Sequence, residues 1–86
     1  MRDGGMKADD SKEFQALRSI IVALVAADPA TICREASWDD VGVDRYDLFG
    51  ILKDVERNLG IRVPDDDAFD MNTVGDLVSF LEKTSR

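Results

Sequence analysis

Gly42-Val43-Asp44-Arg45 stands directly ahead of an apolar pattern of helical period, so its side chains sit at the mouth of a helix. That place suits acids. First-turn N–H groups and the helix dipole favour anions there. Asp44 fits as the cap, accepting from a first-turn N–H. Arg45 does not fit. Its guanidinium stays protonated and offers no nucleophilic oxygen. A cation at the positive end of the dipole costs about 0.3 to 1 kcal/mol at an exposed site, too little to disturb folding. The arginine must therefore be explained by what it contacts.

Other reactive residues are sparse. Cys33 is the single cysteine and the chain has no histidine, which excludes an internal disulfide and a Cys-His catalytic pair. We expect a partly buried, inert thiol, and no zinc site. The run DDDAFD, residues 65 to 70, lacks the glycine and the bidentate glutamate of an EF-hand loop, so it reads as a solvated acidic turn. General acid-base work would fall to carboxylates or lysines, and the acids lie in loops and helix starts, where they serve as caps. Enzymatic activity is not expected.

The net charge is −7, which argues against nucleic acid as a partner and suits a basic protein surface. The longest apolar run, Ile20 to Ala27, is far short of the ~18 to 20 residues that span a bilayer, and no signal segment precedes it. The expected location is cytoplasmic, with no membrane partner.

The elements that position these residues are helical. Residues 1 to 9 read as a flexible tail and residues 10 to 86 as one domain. Phe14, Leu17, Ile21, Leu24 and Val25 share one face of a first helix over about 11 to 27, with Asp10 and Glu13 as a capping box and Asp28-Pro29 as its stop. The stretch from Ala30 to Val43 has no sustained period and reads as an ordered crossover pinned by Ile32 and Trp38. Leu48, Ile51, Leu52, Val55 and Leu59 form the inward face of a second helix stopped by Gly60. Ile61 to Val63 is too short for a sheet, and Asp65 to Met71 makes a short helical turn. Thr73, paired with Asp76, caps a last helix that faces Val74, Leu77, Val78 and Leu81 inward. The predicted fold is all-α, a small four-helix bundle of three longer helices and a short one, with a long loop between helices one and two.

In this order and spacing, Gly42-Val43-Asp44, the helix leading into ERNLGIRVPDDD, and TVGDL opening the last helix resemble an acyl carrier protein. The resemblance runs from residue 36 to 77, and the first helix is compatible with it. It implies an acyl-carrier-protein-type bundle carrying acyl or peptidyl groups on a 4′-phosphopantetheine arm. The family's motif is Gly-x-Asp-Ser-Leu, whose serine takes the arm; here Arg45 and Tyr46 follow Asp44. The resemblance therefore implies a cofactor that cannot be attached at Arg45. Ser19, Ser37 and Ser79 follow no Gly-x-Asp, and the Tyr46 phenol lies out on a long ring.

The resemblance also implies docking on partner enzymes through the second helix. Asp44, Asp47 and Glu56 keep part of that acidic surface, whereas Gly50, Lys53 and Arg57 depart from it. From Asp44 to Leu59 four acids face three bases, a net of only −1. Tyr46, Phe49, Lys53 and Arg57 fall about 100° to 180° from the inward direction. Together with Arg45 they make a patch of aromatics and arginine, types enriched at interfaces. The alternative is ordinary solvated surface, with Phe49 tucked against the crossover.

The leading expectation is a non-catalytic binding module acting through the second helix on a protein of acyl, polyketide or peptide metabolism, with self-association compatible with the same face. The competing expectation is a genuine carrier modified at an unusual residue, or a serine-replaced form of one. Noncovalent binding of an apolar ligand in the interior ranks below both.

Overall fold

The computed structural model describes residues 11–84. Helix α1 spans Lys12–Val25, α2 Arg45–Leu59, α3 Asp65–Phe69 and α4 Val74–Thr84, with a 3₁₀ turn over Pro29–Thr31. This is the expected small helical bundle; among the described residues no β-strand forms, and the one bridge pairs Ser37 with Thr73. Helix α1 packs chiefly on α2 and less on α4. Leu17 and Ile21 of α1, Ile51 and Val55 of α2, and Val74, Leu77, Val78 and Leu81 of α4 are fully buried. Burying each such side chain stabilises the fold by about 1.5 to 3 kcal/mol, so these eight decide where the helices meet.

The first helix departs from its expected limits. Its cap is Ser11, whose hydroxyl accepts from Phe14 N–H at 3.1 Å; the proposed Asp10 lies outside the described residues. Its end comes before Asp28-Pro29, because Ala26 turns left-handed (φ 55°) and donates its N–H to the Val22 carbonyl. Asp28 opens the 3₁₀ turn instead, its carboxylate accepting from Ala30 N–H at 2.9 Å. Leu24 is 42% exposed, and Ile20 takes the inward place. Gly50 explains the displacement: a Cβ there would lie 3.2 Å from Leu24 Cδ2, so the missing side chain seats the leucine at the edge of the helix pair. Cys33, expected partly buried, is exposed, its neighbour Ile32 having taken the inward position.

The crossover is ordered by its own apolar pins and by the start of α4. Ile32, Ala36, Trp38, Val41 and Val43 are all buried. The Trp38 indole N–H donates to the Met71 carbonyl at 3.1 Å. Two first-turn N–H groups of α4 point back at the loop, Val74 to Ala36 O at 2.9 Å and Gly75 to Arg34 O at 2.8 Å. A helix start must find acceptors for such groups, and here the loop supplies them. Thr73 and Asp76 complete the capping box: Asp76 N–H donates to the Thr73 hydroxyl, and the Asp76 carboxylate accepts from Asn72 and Thr73 N–H. Arg34 adds an ion pair to Glu82 at 2.7 Å, and its guanidinium lies 6.0 Å from the Phe14 ring centroid. The loop is thereby tied to both α1 and α4.

Helix α3 is the weakest element. It has five residues, starts at Pro64 without a side-chain cap, and buries Ala68 alone. Three aspartates in its first turn suit the dipole.

Two substitutions of similar size should move stability in opposite directions. Gly75→Ala places a Cβ 2.7 Å from the Arg34 carbonyl oxygen, forcing loop and helix apart, and should destabilise by about 1 to 3 kcal/mol. Ala26→Gly relieves the left-handed alanine and should stabilise by up to about 1 kcal/mol. Urea unfolding midpoints of both variants check the pair.

Candidate functional site

Asp44 and Asp47 build the mouth of α2. The Asp44 carboxylate accepts from Asp47 N–H at 2.8 Å, and the Asp47 carboxylate accepts from Asp44 N–H at 3.4 Å. This reciprocal box turns both acids onto the backbone. Val43 is buried and Gly42 takes a positive φ of 78°, so the chain arrives at Asp44 from a tight turn held by Val43 N–H to Trp38 O at 2.9 Å.

Arg45 is the first residue of α2 and is exposed. With the neighbouring acids engaged, its guanidinium lies over the Phe69 ring of α3, 5.8 Å from the centroid. Such a contact contributes about 0.5 to 1 kcal/mol at an exposed site, comparable to the dipole penalty of about 0.3 to 1 kcal/mol. The arginine is thus offset by its own chain. Among the described residues neither Arg45 nor Lys53 is paired with a carboxylate.

The other residues singled out from the sequence divide. Tyr46 is 85% exposed, and Lys53, Glu56 and Arg57 are exposed along the same helix. Arg57 reaches Asp54 at 3.6 Å, an exposed pair that contributes little. Phe49 does not share the outward face. It is half-buried against the core and meets Phe69 edge-on, with centroids 6.2 Å apart and planes at 81°. Its ring partner lies on α3, and it shares the wall of one hollow with Trp38 of the crossover.

Phe69 is the residue that sequence reasoning missed. It is 58% exposed, yet it carries contacts to both Arg45 and Phe49. The signal was one aromatic ring inside an acidic turn, DDDAFD, too short to show a period. Around it opens a hollow of about 340 Å³ between the start of α2, α3 and the crossover, walled by Trp38, Leu48, Phe49 and Met71 with Arg45 at the rim. Phe49 separates it from a second hollow that includes Lys53, Glu56 and Arg62.

Chemically the arrangement brings together a cation, two exposed rings and an apolar recess. It holds no metal-ligating cluster among the described residues. No helix among them is long and apolar enough to cross a membrane.

A family model described as a phosphopantetheine attachment site matches residues 15–81. The acyl carrier protein of Thermotoga maritima is similar, 38% identical over 71 residues that cover 81% of this chain and 88% of that protein. The chain belongs to the phosphopantetheine-attachment family of acyl-carrier-protein-like domains. Members of this family are carriers, not catalysts, and the chain is not an enzyme.

Asp44→Ala should cost about 0.5 to 2 kcal/mol through loss of the cap, and Asp44→Asn much less. Phe49→Ala should lower the melting temperature by removing a half-buried ring and its edge contact, whereas Tyr46→Ala should leave stability within about 0.5 kcal/mol. Calorimetric unfolding of the four variants measures both contrasts.

Proposed function

We propose that this acyl-carrier-protein-like domain has lost the attachment of 4′-phosphopantetheine and works as a non-catalytic interaction module. Helix α2 is the binding element, and the partner is a protein of acyl, polyketide or peptide metabolism. One observation carries the reading. Arg45 stands at the mouth of α2, after Gly42-Val43-Asp44, where the family's motif places its serine, and it is held there by Phe69.

A guanidinium cannot form the phosphodiester, and nearby hydroxyls do not replace it. Ser11 and Thr73 cap other helices, and Ser37 accepts from Asp40 N–H within the crossover. Ser19 and Ser79 lie inside α1 and α4. The Tyr46 phenol points into solvent one residue further on. Asp44, Arg45, Tyr46, Asp47, Phe49, Lys53, Glu56 and Arg57 are the proposed contact set, with Phe49 acting through its support of Phe69. The proposed setting is the cytoplasm, whose reducing conditions keep an exposed thiol such as Cys33 free.

The retained cap and the breadth of the family match favour one competing reading, a working carrier modified elsewhere on the chain. Intact mass after incubation with a phosphopantetheinyl transferase and coenzyme A separates the two. The natural chain should remain unchanged, and Arg45→Ser, which restores a hydroxyl at the helix mouth, should gain one phosphopantetheine group. A phosphopantetheine adduct on the natural chain would end the proposal.

A further inference from the structure

Helix α2 is less acidic than the molecule as a whole, with three bases against four acids from Asp44 to Leu59. The chain holds 18 acids and 11 bases, so a surface cation should readily find a carboxylate. Arg45 and Lys53 do not, among the described residues. The acids nearest Arg45 in sequence, Asp44 and Asp47, are bound to backbone N–H groups by the capping box. Arg57, on the same side, has only a loose contact to Asp54.

Beside these cations the surface is apolar and open. Tyr46 and Phe69 are the two most exposed large hydrophobic residues described, at 85% and 58%, and they flank Arg45. The hollow beside Phe69 could seat one large side chain, with Leu48, Phe49 and Met71 as its wall. Asp39 and Asp44 also line that hollow; the Asp44 carboxylate is taken up by the Asp47 N–H, which leaves Arg45 as the charged group there with no carboxylate of its own chain among the described residues. Stacked on Phe69, the guanidinium is already restrained, which reduces the entropy lost when a carboxylate pairs with it.

We infer that the partner presents an acidic segment bearing a large apolar side chain. The apolar group enters the hollow beside Phe69 and a carboxylate pairs with Arg45. A second carboxylate, about 12 Å further on, meets Lys53, eight residues along the same helix. A basic partner would meet like charges at Arg45, Lys53 and Arg57, with Glu56 the exposed acid among them. This inference rests on the binding reading above and specifies its partner.

A random peptide library displayed against the full chain tests it. Selected peptides should combine Asp or Glu with Leu, Phe or Trp. They should bind Arg45→Glu at least about tenfold more weakly, and replacing the critical peptide acid by lysine should recover binding to that variant. Arg45→Glu places an acid in the first turn of α2, which suits the dipole, so the variant should fold. Enrichment of basic peptides, equal binding by Arg45→Glu, or no enrichment would overturn the inference. So would sedimentation showing that a second copy of the chain covers this face. None of these outcomes alters the intact-mass result on which the loss of carrier chemistry stands or falls.

Discussion

The backbone contact between the crossover and the start of α4 organises the rest of the molecule. Val74 and Gly75 direct their N–H groups to carbonyls of Ala36 and Arg34, and the absence of a side chain at Gly75 lets the two segments close. A helix start and a loop, each with unsatisfied polar groups of its own, satisfy one another. With the loop fixed, Trp38 reaches Met71, Val43 is buried, and Asp44 is delivered to α2 as its cap. The mouth of α2 is therefore positioned by the contact between the crossover and α4.

At the mouth of α2 the decisive fact is how the charges are used. Two aspartates adjoin an arginine, and simple proximity would pair them. The backbone competes better: N–H groups in the first turn are fixed in place, whereas a salt bridge at this exposed position would have to immobilise a long side chain. The guanidinium is left to an aromatic ring, so an acidic protein presents cations on the helix by which its family is expected to dock.

Much of this was legible in the sequence because it depends on local rules. The inward faces of α2 and α4, the Gly60 stop, the Thr73-Asp76 box and the pins Ile32 and Trp38 follow from periodicity and capping, and the structure has them all. Local rules failed where tertiary contacts intervened. Leu24 satisfied the helical period but was drawn aside by the gap at Gly50, and α1 ended at a left-handed alanine that carries no sequence signal. Phe49 satisfied the outward angle yet turned toward Phe69, a partner twenty residues away in a helical turn that was expected but is too short to show which way its ring faces. Arg45 could be located from the motif; the ring beneath it could not.

Helix α3 has no side-chain cap and only one buried residue, so its little more than one turn of backbone depends heavily on the Phe69 ring. A guest lodged against that ring would become part of the packing that α3 lacks on its own. Residues 65 to 70 would then pass from a readily frayed segment to a protected one, and their amide exchange would record occupancy from within the protein.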